Sequence, residues 1–443
     1  MKRTANLHFR VCNLQFAFCI FQFALLLLVH SIHTPAACAD APLAVPVDGA
    51  PFHAEVTAIA ADWQITFAAG QQPRTMPAAD LVAWGQCAEQ GRAGGLVLAD
   101  GGLVMADVVA ADKEKLTADS ESFGTLRLPL EALSGVVFRW PSGRQKRDAL
   151  VDRLISPLPL GEGQGVRAAA ESDRLLLDNG DEVTGLMTGI ENDTIKLNAD
   201  VGPIEVKIDR VAALIFNPAL KRRPAAKGNH LWAWVGLADG SRLLASQITL
   251  DDAALRIVAD GQTWKTSPKR LVFLQPLGGR SVYLSDLRPA EYRQTPYLDL
   301  PWPYRADRNV TGGMLRCGGR LFLKGLGVHS AARLTYSPLP LGEGQGVRAG
   351  QGSGFRVQGS ATAGRFEADV GVDDSTAAQG SVQFRVLVDG SEKFASPILR
   401  GGNPPVHVSV DLTGTKKLEL VVDYADRADV LDHADWLDAR FVK

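Results

Sequence analysis

Three groups of side chains in the last third of this 443-residue chain have the types and spacing to do chemistry. The first is carboxylate: Asp373 and Asp374 are adjacent, and Asp432 and Asp435 follow near the end of the chain. Clustered carboxylates with backbone carbonyls nearby can hold Ca2+, which takes roughly 6–8 oxygens. The expected calcium ligands are Asp373, Asp374 and Asp432; the same acids can instead end strands and cap turns. The second group is imidazole: His329, followed by Ser330, and His433 within Asp432-His433-Ala434-Asp435-Trp436. A neutral imidazole donates at one nitrogen and accepts at the other, which suits a sugar hydroxyl, and a buried histidine satisfied by backbone is the alternative. The third group is aromatic: Tyr297, Trp302, Tyr304 and Trp436. Sugar rings present C–H faces that pack on aromatic rings, although Trp436 could equally fill a core. Carbohydrate contacts are therefore expected from His433, Asp435, Trp436, Trp302, Tyr304 and His329.

Signals for catalysis are sparse. The chain has no Gly-x-Ser-x-Gly elbow, no P-loop and no His-Glu-x-x-His. A glycosidase needs two carboxylates across a cleft, and no Asp/Glu pair stands out. No Cys/His cluster has zinc spacing. The expectation is a non-catalytic protein.

The elements that must position these groups read as strands. Glycine and proline are frequent, β-branched residues fall in short runs between turn residues, and long stretches of helical periodicity are missing. Phe366–Val370, Val382–Val388 and Leu418–Val422 alternate as half-buried strands, and Asp389-Gly390 marks a hairpin. This patterning predicts a β-sandwich. Four blocks lie in order along it: Ser281–Leu287, Lys324-Gly325-Leu326-Gly327-Val328-His329-Ser330, Val370–Asp374 and Asp432–Trp436. Together they resemble the NPCBM domain, a carbohydrate-binding module found with family 98 glycoside hydrolases and related to the family 51 carbohydrate-binding modules. The resemblance implies a jelly-roll-like sandwich over residues 278–443 and a glycan or polysaccharide as partner.

Upstream, the chain repeats itself. One copy runs from Leu176-Leu177-Asp178-Asn179-Gly180 to Leu214-Ile215-Phe216; others centre on Asp239-Gly240, Asp100-Gly101 and Asp48-Gly49. Each pairs an Asp/Asn-Gly turn with alternating strands and a closing segment that ends in an aromatic residue. The units resemble small SH3-like or Sm-like barrels, expected at 40–92, 93–150, 171–217 and 230–277, with a charged linker at 218–229. A single meandering sheet stack is the alternative. The fold class is all-β on either reading. Ser156–Ala168 recurs letter for letter at Ser337–Ala349. Such identity, beside the loose likeness of the strand units, points to a translated repetitive DNA element. Its Gly/Pro-rich composition suits exposed loops at 151–170 and 337–354.

The N-terminus reads as a signal peptide over residues 1–39. Lys2, Arg3 and Arg10 precede an apolar Phe16–Val29, and Ala37-Cys38-Ala39 offers a cleavage site. Removing it moves the formal charge from −2 to −5, which leaves no basic footprint for nucleic acid. Only Cys87 and Cys317 then remain, so a disulfide framework is absent. The expected protein is secreted or resident in the periplasm or cell envelope, binds glycans and spans no membrane after cleavage. A structural or protein-adhesion role with no glycan affinity is the alternative.

Overall fold

A computed structural model describes residues 41–69, 72–91, 93–155, 172–222, 230–297, 301–337, 364–426 and 428–443. The expected signal segment, most of the linker, and both copies of the repeated segment apart from Ser337 lie outside the described residues. Residues 42–443 form one compact unit, built, among the described residues, of antiparallel strands with one longer helix, Arg144–Ile155.

The four repeats share one local design. Each opens on a tight turn whose glycine has positive φ: Gly49 at 93°, Gly101 at 92°, Gly180 at 94° and Gly240 at 91°. These are left-handed positions that glycine fills without strain. In three of them the preceding side chain accepts the N–H two residues on: Asp100 from Gly102, Asn179 from Asp181 and Asp239 from Ser241. Each repeat ends on a short 3-10 turn and a closing strand. The pairs are Ala78–Asp80 with Leu81–Gly85, Leu130–Ala132 with Leu133–Val137, Ile208–Arg210 with Val211–Ile215, and Pro268–Arg270 with Leu271–Leu277.

Separate barrels do not form; the sheets run through from repeat to repeat. One path of antiparallel pairs starts at Phe52–His53 and passes in order through Leu43–Pro46, Leu81–Gly85, Leu271–Leu277, Trp232–Leu237 and Arg242–Ala245. It continues through Leu103–Met105, Gly95–Leu98, Leu133–Val137, Val211–Ile215, Asp173–Leu177 and Glu182–Glu191. Repeats one and four also share a six-stranded sheet through Leu250 opposite Ile59. Repeats two and three join likewise through Ile190 opposite Ala111. One apolar core, with Phe67, Trp84, Leu116, Ile195 and Trp264, serves all four. The physical reason is size. A unit of about 45 residues buries too little surface to stand alone, and pairing its open strand edges with a neighbour removes both deficits.

Residues 281–442 form a two-layer sandwich. The first sheet orders Arg305–Ala306, Gly325–His329, His433–Val442, Arg365–Val372 and Val406–Asp411, with Ser281–Tyr283 also on His433–Val442. The second orders Glu291–Gln294, Ala332–Tyr336, Leu418–Tyr424, Ser381–Val388 and Ser391–Ala395. Phe366, Val370, Trp436 and Phe441 meet Leu334, Phe384, Val386 and Leu420 between them.

The outer side of the first sheet is covered too over its central strands, while His407 on the edge strand stays exposed. A small hairpin, Leu315–Cys317 with Arg320–Phe322, lies against it, with Leu315, Cys317 and Phe322 packed on Leu437. Beyond the hairpin come the repeats, where Cys87, Phe273, Met314, Leu321 and Leu323 make a mixed cluster. Arg316 ties the layers together. Its guanidinium donates to Asp148 of the helix at 2.6 and 3.1 Å and to Glu89 at 2.7 and 3.0 Å. Its backbone N–H donates to Asp373 of the sandwich at 3.1 Å. The Asp148 side chain is only 1% exposed. Replacing Arg316 by methionine leaves that buried carboxylate without its ion-pair partner, held only by the Met314 N–H. The expected loss is about 3–5 kcal/mol in urea unfolding, and a change under about 1 kcal/mol would show that the clamp is dispensable.

Candidate functional site

Strand alternation decides which candidate residues can meet, because successive side chains point to opposite faces. On His433–Val442, Ala434 and Trp436 enter the sandwich core. His433 and Asp435 therefore face the other way. On Gly325–His329, Leu326 and Val328 enter the core, so His329 shares the outer face. The two strands pair with His329 opposite His433, which places both imidazoles side by side at one end of the sheet.

Trp302 closes over them. Its ring stacks on His329 at 4.9 Å between centroids and 8° between planes, and lies 6.2 Å from His433; the two histidines are 5.9 Å apart. Trp302 itself stays half-buried, bordering solvent. Its loop is pinned from the second sheet. Trp302 N–H donates to Gln294 Oε1 at 3.0 Å, its carbonyl accepts the Tyr292 hydroxyl, and Gln294 Nε2 donates to the Ser330 carbonyl at 3.4 Å. Tyr304 packs against Tyr292 at 5.2 Å, one step removed from the histidines. Tyr297 is exposed, on the same loop.

The electrostatics keep the cluster neutral. Burial, aided by neighbouring His433, pushes His329 down to about 4, against a weaker opposing pull from Asp429. Burial also lowers His433, with Asp373 opposing. His433 Nδ1 lies 3.3 Å from the Ser375 hydroxyl, and His329 Nδ1 has no partner among the described residues. A neutral imidazole pair beside a partly open indole offers donor, acceptor and flat apolar surface together, which is the chemistry of a sugar contact.

Two expected contact residues are corrected. Trp436 is fully buried, edge-on to Phe384 at 5.1 Å and Phe366 at 6.1 Å; a ring without solvent access cannot stack on a glycan. Asp435 is likewise fully buried, beneath the hairpin. Its desolvation, then the nearby charge of Asp373, raise its carboxyl well above the usual range and favour the protonated form.

The calcium expectation at Asp373, Asp374 and Asp432 is also corrected. Asp373 accepts from Asn309 Nδ2, Arg316 N–H and Ser375 N–H. Asp374 takes the N–H groups of Gly318 and Gly319 at 3.0 and 2.9 Å, holding the hairpin turn. Asp432 takes the Ser381 N–H at 2.8 Å, and burial raises its carboxyl to about 6. These acids serve as turn and docking acceptors. Among the described residues no three His, Cys, Asp or Glu groups converge on a cation position.

Ser375, Gln294 and Tyr292 take part in the site without having been singled out from the sequence. Only the strand parity of Glu291–Gln294 could have pointed to the last two.

Residues 280–338 and 342–442 match the NPCBM/NEW2 domain. The break falls within the second copy of the repeated segment. A Renibacterium salmoninarum protein named as an endo-alpha-N-acetylgalactosaminidase is 29% identical over 206 residues, 42% of this chain and 12% of that protein. Alpha-1,3-galactosidase B of Akkermansia muciniphila is 29% identical over 136 residues, 30% of this chain and 15% of its own length. The chain thus spans only a small part of these relatives. Among solved structures, a Clostridium perfringens CBM51 from a GH95 protein, in complex with methyl-galactose, is 25% identical. That alignment covers 37% of this chain and 99% of that one, at a TM-score of 0.29. The CBM51-2 and INT domains of C. perfringens ZmpB, with GlcNAc, are 26% identical over 45% and 38% of the two chains at 0.30. At such TM-scores the fold rests on the sheets described above. The matched segment is homologous to non-catalytic carbohydrate-binding modules, which supports glycan binding.

Two measurements test this placement. Trp436→Ala should cost about 3–5 kcal/mol of stability, as for other buried aromatic truncations; a variant of native stability would return Trp436 to the surface. His329, with its pKa lowered on folding, stabilises the fold fully above about 6.5. That contribution is lost as pH falls toward about 4, because the unfolded chain then binds more protons. Asp432 slopes the opposite way, its contribution being lost as pH rises through about 6. The His329 part is therefore read against His329→Gln: the stability difference should change by about 3 kcal/mol between pH 7 and 4, and a flat difference would refute the desolvated imidazole.

Proposed function

We propose that this chain is a secreted or cell-envelope protein, without catalysis of its own, that binds glycans at the Trp302–His329–His433 end of its C-terminal sandwich. The observation that carries the reading is the convergence of those three rings on one face of a domain matching NPCBM/NEW2. Trp302 stacks on the apolar face of a sugar, and the imidazoles exchange hydrogen bonds with its hydroxyls. Tyr304 and Tyr292 hold the Trp302 loop. The names of the two relatives favour galactose- or N-acetylgalactosamine-containing glycans as ligands. The N-terminal pattern of Lys2, Arg3 and a short apolar run supports export. The absence of a recognisable catalytic motif supports the non-catalytic part. Among the described residues no helix is long and apolar enough to cross a membrane.

A glycan array and affinity electrophoresis with the full chain test the reading. Retention on galacto-configured glycans is expected. Trp302→Ala and His433→Ala should each weaken it by about tenfold or more, since a stacking or hydrogen-bonding contact is worth on the order of 1–2 kcal/mol. No retention on any glycan, or unchanged retention in both variants, would remove the site. A stable protein partner without glycan affinity would favour the adhesion reading, and turnover of aryl galactosides would overturn the non-catalytic part.

A further inference from the structure

A second site lies at the seam between the repeats and the sandwich, around Arg242. This residue sits on Arg242–Ala245, where Leu243 and Ala245 face the repeat core. Arg242 therefore points to the outer side, toward the seam. It is 5% exposed. Its Nη1 has no partner, and its side chain makes no hydrogen bond or ion pair with a described residue.

The charges around it are already committed. Arg316 and Arg308 both lie close enough to repel Arg242. Asp148 is taken by Arg316 and by the Met314 N–H. Asp152 is taken by Arg308, and Glu89 by Arg316 and Arg144. Cys87 is the remaining neighbour, and burial lifts its thiol to about 11, so it supplies no negative charge at neutral pH. The three carboxylates around Arg242 thus face four guanidiniums, those of Arg144, Arg242, Arg308 and Arg316. Arginine does not deprotonate in proteins, and a buried charge left unpaired is strongly unfavourable.

Two further features mark a ligand position. Gln90, 7% exposed, also leaves its Nε2 donor without a partner among the described residues. It belongs to the segment lying on the turn just before Arg242: Gly91 N–H donates to the Asp239 carbonyl at 3.0 Å, and a Cβ on Gly240 would meet the Glu89 carbonyl at 2.3 Å. A cleft of about 380 Å3 opens beside this position; its lining includes Cys87, Glu89 and Ala238, the chain neighbours of Gln90 and of the Asp239 turn, while Arg242 and Gln90 lie behind that wall. We propose that Arg242 holds a small anion beside its guanidinium, behind the wall of this cleft: a halide, an inorganic oxyanion or a carboxylate group, which completes the charge balance of this cluster.

Crystals of the full chain grown in bromide, and separately in phosphate or acetate, test this together with thermal unfolding in the same three anions. An anomalous bromide peak, or phosphate or acetate density, within about 3.5 Å of the Arg242 guanidinium is expected; which arm gives it identifies the anion class. Unfolding should shift upward saturably, by about 2 °C or more, in at least that anion. Arg242→Met should lose the shift while keeping the general salt response common to both proteins. Parallel responses in the two proteins, with no density at Arg242 in any arm, would overturn the site. Should Arg242→Met fail to fold, the diffraction arms on the native chain decide alone: density supports the site and its absence in all three removes it.

Discussion

Arg316 is the contact on which the two halves of this molecule depend. One side chain satisfies a helix carboxylate and a loop carboxylate of the repeats, while its own backbone N–H caps an aspartate of the sandwich. A bidentate guanidinium pair fixes orientation as well as distance. The sandwich is consequently not a bead on a linker. Its first sheet is covered on one side by the second sheet and on the other by the hairpin that carries Arg316. Because Asp373 also holds Asn309 and the turn at Ser375, whose hydroxyl meets His433, the docking face and the candidate sugar site share one aspartate.

Double coverage explains why so many acids near the C-terminus are structural. Where a sheet is buried on both faces, polar groups on either face need partners within the protein. Asp373 and Asp374 meet that need by accepting backbone N–H groups, and Asp435 by favouring its neutral form next to Asp373. At the sheet end beyond the hairpin the imidazoles and Trp302 gather, with Trp302 bordering solvent. Arg242 is the exception at the seam: its charge has no partner among the described residues, although its neighbours Arg308 and Arg316 have theirs.

Much of the fold was legible in the chain. The Asp/Asn-Gly turns identified all four repeats because a left-handed glycine is demanded locally and leaves a letter behind. The alternation in Phe366–Val370 and Leu418–Val422 announced strands for the same local reason, though both are buried on nearly every residue rather than on one face alone. Closed barrels were the natural reading of each repeat taken singly. They failed because an open strand edge has no preference, in its own letters, for its own unit over a neighbour. Leu274 opposite Trp84 and Ile190 opposite Ala111 are pairings between distant segments.

The candidate site divides along the same line. The residue types that could bind a sugar, and the order of blocks around His329 and His433, belong to the sequence alone. Parity along Asp432-His433-Ala434-Asp435-Trp436 even held the hint that His433 and Trp436 face opposite ways. What each of those faces packs against was decided only by tertiary structure. A strand's alternation separates its two faces without saying what covers each, and here the second sheet covers Trp436 while the hairpin covers Asp435, leaving His433 beside Trp302.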